Sequence, residues 1–372
     1  MDILIVEPYM TGSHAEWVRG YGAYSAHELE LLALPGRHWK WRMHGGAVTL
    51  ADRFREKGLE PDLILASDML DLAAFTALAG PGALRAARAV YFHENQLSYP
   101  WPETDPDPGL ERDAHYGFVN YTSALAADAV FFNSRYHMES FLGSLPRFLG
   151  AFPDYTGTKN IQAIEEKSRV LHLGLDLAWL DRHRVEREPG RTPLILWNHR
   201  WEYDKNPGPF FDLLFALDGE GLGFEVAVLG ESFESSPAVF EEARERLGDS
   251  IVRFGYAQTR EEYASWLWRA DLLPVTSMHD FFGASVVEAA WCGALPLLPD
   301  ALAYPEHIPD ELRGTCLYDG PDDLLERTRS LLGKRHEDIS RVLRRHLSRY
   351  DWSASAPLYD ETFSSLVSES NK

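Results

Sequence analysis

The chain has 372 residues, 45% of them hydrophobic and 12% aromatic, which suits two globular domains with substantial cores. With 36 basic and 57 acidic residues the net charge is −21, so the chain as a whole repels polyanions, and a nucleic-acid partner has to be met by a local basic patch. No run approaches the roughly 18–20 apolar residues of a membrane span, and the N-terminus lacks the regions of a signal peptide, so a cytoplasmic location without membrane contact is expected.

Ile3–Val6 is short, apolar and β-branched, as a buried parallel strand should be. The turn Thr11-Gly12-Ser13-His14 and the amphipathic stretch Glu16–Ala26 complete a strand, glycine turn and helix, the opening of a Rossmann-like domain. Leu29–Leu34 follows as a second strand. Next comes Arg37-His38-Trp39-Lys40-Trp41-Arg42, whose basic and aromatic interleaving suits stacking on bases with phosphate contact. A half-buried strand with a solvated face fits that segment equally well. Further strands are expected at Leu63–Ala66, Ala89–Phe92, Ala129–Phe132 and Val170–Leu173, with helices such as Gly82–Arg88 and Gly117–Ala127 between them.

The polar stretch Asp181–Arg191, with its Pro-Gly pair, is the best linker candidate. Strands are then expected at Leu194–Trp197, Glu225–Leu229, Ile251–Phe254, Leu272–Val275 and Leu295–Leu298, alternating with helices at Phe210–Leu217, Glu241–Leu247, Glu261–Trp268, Ala284–Trp291 and Pro321–Leu332. The expectation is an α/β protein of two Rossmann-like, doubly wound parallel-sheet domains, residues 1–188 and 189–350, facing across a cleft. Residues 351–372 form a last helix, opened by Tyr350-Asp351-Trp352, that can cross back onto the first domain. Cys292 and Cys316 make no metal-ligand pattern and read as buried thiols. No feature marks an obligate protein partner.

Two clusters carry the chemistry. The first, Trp197 to Pro207, directly follows the first strand of the second domain, so His199, Arg200 and Lys205 stand at a strand's carboxyl end. Arg200 can fork two oxygens of a diphosphate and Lys205 supplies a compact charge. Such preplaced cations stabilise a leaving nucleoside diphosphate more in the transition state than in the ground state. In the second cluster Asp280 lies in a loop, and Phe282, Gly283 and Ala284 open a helix whose free N–H groups suit an anion. Glu288, about one and a half turns in, can accept from a ribose diol, while Asp280 addresses sugar hydroxyls. A surface salt-bridge loop and ordinary helix caps are the bland alternatives.

In the first domain His93-Glu94-Asn95-Gln96 follows a strand and suits hydroxyl recognition, with a core histidine as the alternative for His93. Gly12, Ser13 and His14 can cradle a diphosphate or an acceptor hydroxyl. Asn133-Ser134 follows another strand and equally suits a helix cap. Glu231 and Ser232, after the Glu225–Leu229 strand, are candidates for nucleotide contact.

The acid-x7-acid spacing of Asp280 and Glu288 resembles the E-x7-E motif of retaining glycosyltransferase family 4, with Asp280 one methylene shorter than the usual glutamate. Over nearly its full length the chain resembles a narrower group, the tRNA-queuosine α-mannosyltransferase family. The resemblance runs through GSH at Gly12–His14, LPGRHWKWR at Leu34–Arg42, YFHENQLSYP at Tyr91–Pro100 and FNSRYHMESFL at Phe132–Leu142. It continues with HRWEYDKNP at His199–Pro207, LGESF at Leu229–Phe233, HDFFG at His279–Gly283 and EAAWCGALPLLP at Glu288–Pro299. It implies a GT-B fold and transfer of α-mannose from GDP-mannose to the cyclopentenediol of queuosine in the anticodon loop of tRNA-Asp, with retention and without a metal or other cofactor. It also implies catalytic roles for Arg200, Lys205, His93 and Asp280. Donor contacts fall to Gly12, His199, Glu231, Phe282, Gly283, Ala284 and Glu288. Acceptor contacts fall to Ser13, His14, Glu94, Asn95, Gln96, Asn133, Trp39 and Arg42. Three rival readings are a family 4 enzyme acting on a lipid or small soluble acceptor, a non-catalytic binding module, and a sugar-nucleotide epimerase. Leu110–Tyr121 is too acidic to offer a lipid-facing basic helix.

Overall fold

The computed structural model describes residues 1–102, 104–110, 114–231 and 237–370. The chain forms two compact units: residues 1–175 with 352–372, and residues 176–351.

The first unit is built on a six-stranded sheet of β1 (Asp2–Met10), β2 (Glu28–Pro35), β3 (Leu63–Ser67), β4 (Ala87–Phe92), β5 (Ala129–Phe132) and β6 (Ser168–Val170). The order is β2-β1-β3-β4-β5-β6 and every pairing is parallel. Parallel strands covered on both faces must be apolar throughout, and all five residues of β3 are buried. One face packs Leu4, Val6, Ile64, Val90 and Phe132 against Leu50, Phe54 and Phe141.

The second unit repeats the plan with β7 (Leu194–Asn198), β8 (Glu225–Leu229), β9 (Ile251–Gly255), β10 (Leu272–Pro274), β11 (Leu295–Pro299) and β12 (Leu317–Tyr318). Its order, β12-β11-β10-β7-β8-β9, is again parallel. In each sheet the winding reverses beside the first strand, between β1 and β3 and between β7 and β10. Ligands of doubly wound sheets bind at that reversal, outside the carboxyl ends of the strands.

Several local expectations are corrected. The segment after β2 is no strand but the start of a helix over Trp39–Lys57, whose buried Met43, Gly46, Ala47, Leu50, Ala51 and Phe54 recur with helical period. The first helix begins at Gly12 rather than Glu16, because Gly12 at φ +51° lets the chain turn straight out of the loop. The strand expected at Val170–Leu173 runs Ser168–Val170, and the Gly82–Arg88 helix is the single turn Pro81–Arg85. Helices over Leu72–Ala79, Arg135–Gly150 and Glu337–Leu347 are additional.

Asp181–Arg191 lies within the second unit by this division, anchored by its arginines. Arg187 Nε donates to Trp268 O at 2.8 Å, and Arg191 Nη2 reaches Asp271 Oδ1 at 2.8 Å. The terminal helix Trp352–Ser370 packs on the first: a Cβ on Gly20 would lie 1.9 Å from Trp352 Nε1, and one on Gly174 2.5 Å from its Cε3. Glycines on both sides leave the room that Trp352 fills. Asp360, midway along the terminal helix, accepts from Tyr21 Oη, Ser25 Oγ and Ala26 N. Cys292 and Cys316 are buried free thiols.

Candidate active site

In the second unit, β7 and β10 deliver both sequence clusters to the winding reversal. His199 follows β7 directly, and Lys205 ends a 3-10 turn over Tyr203–Lys205. Lys205 is almost fully buried. Its Nζ donates to His279 O at 2.9 Å and lies 3.2 Å from Asp204 Oδ2 and 3.4 Å from Asp280 Oδ1. A buried ammonium between two carboxylates is an ion network whose members are costly to remove singly. Tyr304 Oη donates to the other oxygen of Asp280 at 2.7 Å. Burial opposes ionisation of Asp280, yet Lys205, His199 and the Tyr304 hydroxyl together hold its carboxyl below the usual range.

The glycine of the second cluster has a backbone conformation that favours glycine. Gly283 stands at φ +82°, and a Cβ there would come 3.0 Å from the Tyr304 ring. The helix it opens, Ala284–Trp291, has no side-chain cap and no acid in its first turn, so no side chain of that turn competes with an anion for its N-terminal amides. Phe282 is buried with its ring against His307 and Tyr350, and its carbonyl meets His307 Nε2. What it offers a ligand is backbone.

Glu288 is fixed from outside its helix. Tyr263 Oη donates to Glu288 Oε2 at 2.9 Å, and Asn198 Nδ2 donates to Ser285 O at 2.8 Å. His199 Nδ1 sits 3.2 Å from Ser285 Oγ, while its buried Nε2 has no partner among the described residues. Burial pushes His199 and His279 down to about 4, leaving both imidazoles neutral. Arg200 is half-exposed and paired with Glu202 at 3.1 Å, outside the buried network. Glu231 is exposed; its carbonyl accepts from Trp201 N at 3.0 Å. Ser232 lies outside the described residues.

The first unit gathers its polar residues at the equivalent reversal. Glu7, in the second half of β1, is fully buried and accepts from His14 Nδ1 at 2.9 Å. The His14 and His93 rings lie 4.2 Å apart, with Trp17 edge-on to His93 at 5.0 Å. Asp68, just past β3, accepts from the His93 backbone N–H at 2.7 Å. Burial alone lowers an imidazole, but Glu7, with Asp68 and Glu94, raises His14 to about 9. Burial, then the neighbouring His14, drives His93 well below its ordinary value. One imidazolium thus lies tilted against one neutral imidazole, and the His93 Nε2 is buried with no partner among the described residues.

Other expected site residues of this unit have structural partners. Asn133 donates to His93 O at 2.9 Å and pairs with His137 Nδ1 at 2.8 Å, while Ser134 caps the Arg135–Gly150 helix. Asn95 Oδ1 accepts from Leu97 N and Ser98 N, and Gln96 Nε2 donates to Glu94 Oε1. Ser13, next to His14 in the chain, is exposed. Trp39 packs on Trp101 and Tyr116, and Arg42 Nε donates to Pro35 O at 3.2 Å.

Sequence reasoning missed Glu7, Asp68, Asp204, Tyr263 and Tyr304. An acid within or just past an apolar strand was a usable signal for Glu7 and Asp68. Tyr263 and Tyr304 become partners of the two acids only through the fold.

A family model described as "tRNA-queuosine alpha-mannosyltransferase N-terminal" matches residues 2–175. A tRNA-queuosine alpha-mannosyltransferase of Drosophila melanogaster is 36% identical over 321 residues, covering 83% of this chain and 82% of that one. Among solved structures, the trehalose-6-phosphate phosphatase N-terminal domain of Candida albicans superposes with a TM-score of 0.72 at 12% identity, covering 99% of this chain and 96% of that one. Sucrose-phosphate synthase of Thermosynechococcus elongatus gives 0.69 at 16%, covering 99% of both. Anabaena Alr3699/HepE, solved with UDP and glucose, gives 0.65 at 14%, covering 98% of this chain and all of that one. At these identities the structures establish the fold, which is GT-B.

Proposed function

The chain belongs to the tRNA-queuosine alpha-mannosyltransferase family and is a glycosyltransferase, and from that premise we propose that it transfers α-mannose from GDP-mannose to the cyclopentenediol of queuosine in tRNA-Asp. The observation that carries the donor half is Lys205, a buried cation beside Asp280 and on the same loop cluster as the uncapped helix start at Gly283. A diphosphate at that helix start gains the amides and dipole of the helix. Lys205 neutralises the charge that develops on the phosphate as the glycosidic bond breaks. Glu288, held by Tyr263, accepts from the ribose diol, and Asp280, held by Tyr304, accepts from a sugar hydroxyl. The neutral His199 adds a buried nitrogen on the same face.

In the first unit, His14, His93 and Glu94 address acceptor hydroxyls. The donor C1–O(phosphate) bond breaks and a C1–O bond to the queuosine hydroxyl forms on the same face, retaining configuration. The departing phosphate oxygen takes the acceptor proton. Lys205 and the helix amides supply the positive charge, so turnover is expected to persist in EDTA. A cytoplasmic setting suits both substrates, and no helix among the described residues is long and apolar enough to cross a membrane.

The test is donor competition followed by anomer assignment. GDP-mannose in the presence of queuosine-containing tRNA-Asp should yield GDP and an α-linked nucleoside, with UDP-hexoses at least about tenfold poorer donors. A β-linked product would overturn retention, and preference for a UDP-hexose would overturn the donor.

A further inference from the structure

The two tryptophans opening the Trp39–Lys57 helix have opposite surroundings. Trp39 is spent on Trp101 and Tyr116, and the neighbouring Lys40 on Asp105 and Asp107. Trp41 is 64% exposed. Its indole lies along the helix over Gly45, where a Cβ would come 2.6 Å from both Cε2 and Cζ2 of the ring. Only a residue without a side chain permits that approach. The Nε1–Cε2–Cζ2 side of the ring is therefore seated on the helix at Gly45, while most of the indole stays open to solvent.

Charge around the ring runs against the chain's own sign. Between Gly36 and Lys57 six lysines and arginines face two acids, in a protein of net charge −21. Lys40, Arg55 and Lys57 are neutralised by Asp105 with Asp107, Asp52 and Glu30. Arg42 is held by a carbonyl, Pro35 O, which orients the guanidinium without cancelling its charge. Arg37 is exposed in the same turn. That turn packs on the first-unit site, since a Cβ on Gly36 would lie 2.3 Å from Thr11 Cβ, one residue before Gly12. A flat aromatic face flanked by cations matches an unpaired nucleobase and its phosphates, because every base has a π-face and stacking tolerates any sequence.

We propose that Trp41 is a stacking platform for an unpaired base of the acceptor RNA, with Arg37 and Arg42 on the flanking phosphates; this rests on the reading of a tRNA acceptor. It differs from the roles assigned to Trp39 and Arg42 above in placing the base contact on Trp41 and leaving Trp39 to the fold.

The experiment measures binding of a fluorescently labelled anticodon stem-loop RNA to the full-length protein, alongside hexose transfer to queuosine-containing tRNA. Trp41→Ala should weaken RNA binding about tenfold or more with an unchanged melting temperature, and Trp41→Phe should keep most of the affinity. Gly45→Ala favours the helix but displaces the ring, so it should bind RNA severalfold more weakly without loss of stability. RNA affinity within about twofold of the parent in Trp41→Ala overturns the proposal. So does self-association of the parent that Trp41→Ala abolishes while RNA binding stays, since it assigns the ring to a second copy of the chain. A parent that transfers hexose while Trp41→Ala binds RNA normally loses only the stacking site. A parent that binds through Trp41 and transfers nothing to queuosine loses only the acceptor reading.

Discussion

In the proposed reaction the donor chemistry turns on Lys205. Lys205→Ala leaves Asp204 and Asp280 as two buried carboxylates without their cation, so the substitution costs folding energy as well as catalysis. Lys205→Met also leaves the two carboxylates unpaired but keeps the packing of the stem, so what it removes is the charge. It should lower kcat about 100-fold or more, read by initial rates at saturating donor. A loss under tenfold with the fold intact contradicts the role at the diphosphate. Tyr304→Phe removes one of the contacts that hold Asp280 ionised. The Asp280 pKa should rise, moving the acidic limb of the kcat/KM profile to higher pH, with a rate loss of about tenfold. An unmoved limb would mean that Tyr304 only fills space beside Gly283.

The histidine pair gives a stability prediction with a definite sign. His14 is raised from 6.5 to about 9 in the folded state, so below pH 6.5 its contribution is fully present, and it is lost as pH climbs toward 9. Asp68, pushed up by burial to about 8, also binds its proton more tightly when folded and works in the same direction. The folded state holds more protons than the unfolded one across this window, and stability falls as pH rises. The melting temperature should drop between pH 6.5 and 9. Glu7→Gln, which removes the anion facing His14, should flatten that dependence. A parent with a level profile would contradict the assignment of the imidazolium.

At the scale of elements, the parallel strands were legible because both faces are buried and the runs are continuously apolar. β3, β7 and β8 emerge within a residue or two of where the sequence places them. Helices were harder. The Trp39–Lys57 helix opens with the mixed sequence WKWRMHGG, in which two glycines and alternating tryptophans obscure its period, and only the burial of Met43, Ala47 and Phe54 reveals it. The junction of Gly20 with Trp352 was also invisible, because the two positions meet only when the terminal helix packs against Gly12–Tyr24. Gly20→Ala should destabilise the first unit by about 1–3 kcal/mol, seen as a lower melting temperature. Pairing it with Trp352→Phe should recover part of the loss. Strict additivity of the two substitutions would show that the contact is not the cause.

At the scale of the whole molecule, each half places its polar residues where its sheet reverses direction, and that logic made the candidate residues readable from strand ends. His93 and His199 each follow a strand and were found that way. Glu7 lies within β1 and Asp68 just past β3, where an acid against an apolar run was a signal that strand ends alone did not bring out. The partners that hold the acids, Tyr263 and Tyr304, carry no local pattern and could come only from tertiary structure.

The proposed transfer to queuosine is tested most directly by nucleoside mass spectrometry. After incubation with GDP-mannose and queuosine-containing tRNA-Asp, digested RNA should show queuosine carrying one added hexose, with GDP released in equal amount. Unmodified queuosine beside hexose transfer to another acceptor would contradict the account while leaving the protein a glycosyltransferase.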